Sequence, residues 1–394
     1  MRSGSIGWIK RIVASRTFLY AAAAAVLLLV SVHYLISQPA GLSAQELAAK
    51  NSSQSLSQII NHPLNAPHRL LAYGFHALHL SWRTALRLSS ISFGLVFVLS
   101  FYSLAAAWFA KSIGLMGTLV LAATPLVIVA SRQGSAEIMY MAPITLMAAY
   151  AWTLRSDNKA LGLGSLLALS AIFIYTPGLI WWLAGGLIAA RKKLAAAAET
   201  VSPPVMAAAC LISLLLLSPL LIALAKDWTL IKPLGLVPAH FAAPLTVLKE
   251  TAWMAIALFV KAPYHSLFIL GRLPVLNVVQ TALLAIGVYA LWSAARAKLA
   301  ILLAALVLAV VAAGINNDIS RLIIGLPAAG LLVCAGLRYL YIEWRGIFPR
   351  NPVARGLALT LMAVVVTVQL LFGIRYGAIA WPHTAGTKNS YVLK

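Results

Sequence analysis

This 394-residue chain carries only eight acidic residues against 30 lysines and arginines. Each carboxylate can therefore be weighed singly. Glu137 stands five residues after Arg132 in "SRQGSAE" (131–137), a polar interruption between two apolar runs. Asp318 stands three residues before Arg321, and Glu46 follows Gln45 in "GLSAQE" (41–46). A positioned carboxylate can deprotonate a hydroxyl, and an arginine can grip a phosphate with two parallel N–H donors. Acids close to membrane depth are costly unless they are paired or line a wet cavity. Two readings follow. Either each acid–arginine pair neutralises a helix end locally, or Glu46, Glu137, Arg69, Arg87, Arg132 and Arg321 surround one cavity holding a base and a phosphate clamp. Gln45 in "GLSAQE" (41–46) and His68 in "HPLNAPH" (62–68) complete the candidate set.

The elements that must position these residues are transmembrane helices. The chain is 62% hydrophobic and 10% charged, where soluble domains carry about 25% charged residues. Apolar runs fall at roughly 18–36, 85–109, 114–130, 137–154, 160–174, 177–190, 203–225, 275–292, 298–314, 321–340 and 356–374. Runs of this length and poor alternation predict an all-α polytopic membrane protein of about 11 spans rather than a β-barrel. The fifth and sixth runs, separated by "YTP" (175–177), are expected to pack as a tight hairpin. Cation placement predicts an inner membrane protein with its N-terminus inside and its C-terminus outside. The short turns assigned to the outer side then hold only Arg132 and Arg321, while Glu46, Glu137, Asp227, Glu250 and Asp318 also fall on that side.

This topology divides the chain into a basic cytoplasmic stretch 1–17, a core 18–225, an outer loop 226–274, C-terminal spans 275–374 and a short outer tail 375–394. The core includes a long first outer loop, 37–84, in which residues 68–82 place Leu71, Phe75, Leu78 and Trp82 on one helical face, as an interfacial helix would. In the second loop, residues 245–260 form an apolar segment too short to span comfortably, suited to an interfacial or re-entrant helix. His62, His68, His76 and His79 crowd the first loop, but their spacing does not put a ligand set on one face, and interfacial packing is the expectation for them. Arg87 either snorkels or reaches the cavity. Cys210 and Cys334 sit inside apolar runs and read as small buried residues. The net charge of +22 is spread between helices, which disfavours nucleic acid and favours anionic lipids or phosphate-bearing substrates.

The order of the motifs carries further information. "GLSAQE" (41–46), "HPLNAPH" (62–68), "ALRLSS" (85–90), "SRQGSAE" (131–137) and "ISRLIIGLPAAGLLVCAGL" (319–337) follow one another over roughly residues 15–340. In order and spacing this resembles the GT-C membrane glycosyltransferases, in particular the protein O-mannosyltransferase and aminoarabinose-transferase-like group. The resemblance implies a GT-C-like core and transfer of a sugar, with inversion, from a polyprenyl-phosphate lipid to an acceptor on the outer face. It implies Glu46 and Glu137 as acids of the two outer loops, and arginines such as Arg132 and Arg321, or a divalent metal ion, stabilising the leaving phosphate. The first-loop pair of that group is Asp-Glu, and the usual base position is here Gln45, which cannot take a proton. An active enzyme then requires Glu46 as base. The departure equally fits a non-catalytic GT-C-like protein that binds lipid phosphate or a membrane partner protein. A transporter of a lipid-linked anion is the third reading, although no acid is seen deep in a span.

Overall fold

A computed structural model describes residues 39–238, 240–263 and 267–393. The first expected span, 18–36, lies outside the described residues. Helices occupy all ten of the other apolar runs, and the chain is an all-α polytopic membrane protein. Three short helices come first: α1 (Ala44–Asn51), α2 (Leu56–Asn61) and α3 (Ala66–Ala77). Then follow α4 (Trp82–Trp108), α5 (Lys111–Ala122), α6 (Pro125–Arg132), a 3-10 turn (Ala136–Met141) and α7 (Ala142–Arg155). The expected hairpin is α8 (Lys159–Phe173) and α9 (Leu179–Ala198), which pack on one another. Next are α10 (Pro203–Lys226) and α11 (Pro244–Phe259), the second-loop segment. The C-terminal part holds α12 (Val278–Ala294), α13 (Arg296–Asn316), a second 3-10 turn (Ile319–Gly325), α14 (Leu326–Ile347) and α15 (Pro352–Ile374). By length and apolarity, five single helical stretches among the described residues suffice to cross a membrane, or six with the bent pair α5–α6.

That bend replaces the continuous helix expected over 114–130. The chain turns by 67° between α5 and α6. Pro125 opens α6, and the break frees the Val120 carbonyl from its usual helical donor, because the Thr124 N–H turns to Leu121 instead. Buried Gln280 on α12 repairs the break, donating from Nε2 to Val120 O (3.1 Å) and to Thr124 Oγ1 (2.7 Å). In lipid a freed backbone group needs such a partner, because no water is at hand.

Close helix crossings are carried by glycine. Gly287 on α12 faces Gly336 on α14, and a Cβ on either would strike the opposing backbone at Leu332 or Leu283. This is the small-residue packing of membrane helices, where van der Waals contact replaces the hydrophobic drive. Among the five candidate spans of the described residues, the apolar stretch that runs from the second 3-10 turn into α14 is 94% buried, whereas that of α10 is 11% buried and turns most of its leucines outward. Outward leucines on α10 are what a lipid-facing helix requires.

The first loop corrects one expectation. The helix over 68–82 ends at Ala77; His79, with φ 65°, makes the turn, and Trp82 begins α4. Leu78 is 70% exposed and Leu70 is also exposed, while Ala66, His68, Arg69 and Ala72 face inward. His68 and Arg69 of α3 thus meet the protein together with the small Ala66 and Ala72, and Leu71 and Phe75 are half-buried. The interior at this end of the bundle is a polar cavity, and the surroundings are left to the leucines.

Residues 375–393, in the segment read as a short outer tail, are folded. Residues Arg375–Ala380 continue α15 as a π-helical turn, and Trp381–His383 and Ala385–Ser390 fold back over the loop end of the bundle. Leu393 pairs with Leu42 through two backbone hydrogen bonds, Leu42 N to Leu393 O (2.8 Å) and Leu393 N to Leu42 O (3.2 Å).

Candidate functional site

Glu46 is fully buried, and the local sequence explains why its carboxylate can be. Ser43 caps α1 with its side chain on Glu46 N, and Glu46 Oε2 returns the bond to Ser43 N (3.2 Å), a reciprocal capping box. Arg87 on α4 approaches in parallel fashion, Nε to Oε1 at 2.9 Å and Nη2 to Oε2 at 3.0 Å. Gly134 N adds a further bond to Oε1 at 2.9 Å. Only glycine fits at 134: a Cβ there would lie 2.7 Å from Leu86 Cβ. Arg87 also donates to Pro39 O (3.0 Å) and Gly41 O (2.8 Å) and lies under the Tyr391 ring at 5.5 Å. Glu46 thus ties the first loop, α4 and the Arg132–Glu137 turn together, with its carboxylate oxygens taken up by four donors.

Glu137 is placed differently. Its 3-10 turn packs on the second 3-10 turn, which carries Arg321. Each turn runs into a helix opened by proline, Pro143 or Pro327, whose missing N–H is harmless in a first turn. Asp318 and Arg321 form the local ion pair read from their spacing, Oδ2 to Nε at 3.1 Å, and Arg321 lies over the Tyr140 ring at 5.2 Å. Glu137 Oε2 is buried without a hydrogen-bond partner among the described residues. Arg132 turns elsewhere: it is fully buried beneath the Trp381 ring, 5.3 Å from its centroid. The two residues five apart in sequence serve different neighbourhoods.

A cavity of about 480 Å³ opens beside Glu137, within the usual range for small-molecule sites. Its wall includes Gln45, Ser52, His62, Asn65, His68 and Arg69 from the first loop, Ser135, Glu137 and Tyr140 from the turn, and Leu230 from the second loop. Of the eight residues singled out in the sequence, Gln45, His68, Arg69 and Glu137 therefore meet at the cavity. Glu46, Arg87, Arg132 and Arg321 are not on its wall: the first two pair with each other, and the others pack under or over aromatic rings. The single arginine-lined chamber expected from the sequence is divided into a cavity and a buried ionic layer behind it.

Asn65, Tyr140 and Ser135 were not singled out. Asn65 had a readable signal in "NAP": it caps α3 in the left-handed region (φ 57°), which asparagine tolerates, ahead of a helix-opening proline. Arg69 donates to the carbonyls of Ser52 (3.4 Å) and His62, holding the first loop closed around the cavity. His68 is fully buried, and burial followed by the Arg69 charge holds its imidazole down to about 3, so it is neutral at physiological pH. Among the described residues no three His, Cys, Asp or Glu side chains gather as metal ligands. His76 instead stacks on Trp82 at 4.1 Å and bonds Leu80 O. Cys334 is buried as expected, whereas Cys210 is exposed on α10.

No protein-family profile matches the chain, and no curated protein matches it in sequence. Solved structures do. The crystal structure of ArnT from Cupriavidus metallidurans in the apo state aligns at 14% identity with a TM-score of 0.59, covering 99% of this chain and 78% of that one. The same protein bound to undecaprenyl phosphate aligns at 13% identity and TM-score 0.56, over 96% and 76%. An Archaeoglobus fulgidus oligosaccharyltransferase tethered to an acceptor peptide aligns at 13% identity and TM-score 0.55, over 91% of this chain and 55% of its own. With agreement over nearly its whole length, the chain shares the fold of these solved structures.

Proposed function

We propose that the chain is a membrane glycosyltransferase that takes a sugar from a polyprenyl-phosphate-linked donor at the outer face of the cytoplasmic membrane. Glu137 is the base. Its Oε2 accepts the acceptor hydroxyl's proton as that oxygen attacks the anomeric carbon. The bond from that carbon to the phosphate oxygen breaks with inversion, and polyprenyl phosphate leaves. The observation that carries the reading is an unpartnered carboxylate oxygen on Glu137, a residue of the cavity wall, in a GT-C fold. Arg69 is the arginine of that wall suited to the departing charge. Glu46, with four donors on its carboxylate, is assigned a positioning role.

A second reading, a GT-C-like protein that binds lipid phosphate without turnover or serves a partner enzyme, is favoured by one feature. Gln45 lines the cavity at the position where the resemblance places an aspartate. Transfer of labelled sugar from synthetic undecaprenyl-phosphate donors by the purified protein separates the two. Glu137→Gln is expected to lower turnover about 10²–10⁴-fold, the usual general-base contribution, and Gln45→Asp to raise it. Full activity in Glu137→Gln removes Glu137 from the mechanism. Absence of turnover in every variant, with undecaprenyl phosphate still bound, establishes the second reading.

A further inference from the structure

Three atoms of residues on the cavity wall have no hydrogen-bond partner among the described residues: Asn65 Oδ1, His68 Nδ1 and Glu137 Oε2. The histidine is the informative one, because its protonation can be worked out from neighbours. Ser90 Oγ carries one proton and gives it to the Ser135 carbonyl at 3.0 Å, which can only accept. His68 Nε2 lies 2.8 Å from that same Oγ. With the hydroxyl proton committed, Nε2 must bring the hydrogen to this contact. A neutral ring with hydrogen on Nε2 has a bare lone pair on Nδ1. The backbone is fixed as well, since Ser89 Oγ donates to His68 O at 2.7 Å. A buried lone pair without a donor is costly, so a ligand bringing one is favoured there.

The kind of ligand follows from the wall. Unfilled acceptors predominate, and Arg69 already spends guanidinium N–H groups on Ser52 O and His62 O. The buried arginines Arg87 and Arg132 lie outside the cavity wall. We propose that His68 presents unprotonated Nδ1 as a fixed acceptor for a hydroxyl of the glycosyl group bound in the cavity, and that Ser90 is the positioning residue that sets this state. The ligand assignment rests on the glycosyltransferase reading above; the protonation state does not.

Nitrogen-15 NMR of the full chain in lipid nanodiscs, with labelled histidine and His68→Asn as the assignment control, reads the ring directly. The expected spectrum at pH 7 is that of a neutral ring protonated at Nε2, becoming a mixture in Ser90→Ala. A ring protonated at Nδ1, or a wild-type ring unaffected by Ser90→Ala, overturns the inference whatever the protein does. Binding is then measured for undecaprenyl phosphate and for undecaprenyl phosphate bearing a hexose. His68→Phe is expected to weaken binding of the hexose-bearing lipid about 5- to 10-fold, the worth of one hydrogen bond, and to spare undecaprenyl phosphate. His68→Asn, whose amide oxygen can stand near the Nδ1 position, is expected to recover most of that loss. Equal loss for both lipids refutes the His68 assignment alone. Binding of neither lipid by the wild-type protein refutes the glycosyltransferase reading and the ligand assigned here with it.

Discussion

Glu46→Gln tests the positioning role most sharply. The substitution keeps volume and shape, and in an enzyme using Glu46 as base it would remove only the proton acceptor. In this structure it does more. Oε1 receives Arg87 Nε and Gly134 N, and Oε2 receives Arg87 Nη2 and Ser43 N. A glutamine must put its NH₂ at one of these sites, facing two donors with a third. Arg87 keeps its charge, 3% exposed, with only carbonyls to balance it. Breaking one side of a buried ion pair costs about 3–5 kcal/mol, which raises the opened population of the first loop roughly 10²–10⁴-fold. Hydrogen exchange across residues 43–53 and at Gly134 reads that opening. Glu46→Leu combined with Arg87→Met removes both charges and is expected to restore much of the protection, as apolar replacement of a buried pair often does. The reasoning is refuted if Glu46→Gln keeps wild-type protection while transfer is abolished, because that pattern is a base removed from an intact scaffold.

Three other outcomes are expected. Gln280→Leu leaves the Val120 carbonyl at the α5–α6 bend with only the 3.3 Å bond from Thr124 Oγ1 and takes a donor from Thr124 Oγ1 itself, and should destabilise by about 1–3 kcal/mol, read as a lower melting temperature in detergent; Ser293→Ala on the same helix, whose hydroxyl is exposed, serves as the neutral control. Trp381→Ala should cost about 3–5 kcal/mol as a large buried side chain is lost, and should render Arg132 accessible to a guanidinium-reactive dicarbonyl, detected by mass spectrometry. His68 titrates near 6.5 in the unfolded chain and near 3 when folded, so the unfolded state binds the proton first and stability falls with acidification below 6.5. Between pH 7 and 5 this one group should cost about 2 kcal/mol, and His68→Phe should flatten that part of the stability–pH profile.

The helices were legible because apolar runs near bilayer length leave the backbone few alternatives to hydrogen bonding with itself. The Asp318–Arg321 pair was legible because three residues make one turn. Glu46 and Arg87, 41 residues apart, could not be paired from spacing, nor could Arg132 with Trp381. Such partners are chosen by tertiary packing, and scarcity of acids gave the neighbourhood without the pairing. The end of α3 was hidden for a different reason: the apolar spacing of Leu71, Phe75, Leu78 and Trp82 runs on past Ala77, where His79 turns the chain at a φ of 65°. The bend at Pro125 carried a signal in "TP" that the unbroken apolar run around it concealed.

The bridge between Leu42 and Leu393 has a temporal side. The two residues leave the ribosome about 350 positions apart, and at roughly 5–20 residues per second the earlier one waits about 20–70 s for its partner. Throughout that interval Arg87 and Arg132 lack the rings of Tyr391 and Trp381. Glu46 and Gly134 are already made, so the nascent chain can neutralise Arg87 first and close the aromatic cover last. Maturation of the cavity would then lag membrane insertion, and a stalled nascent chain ending before Trp381 should carry all its helices yet remain open to protease at the first loop.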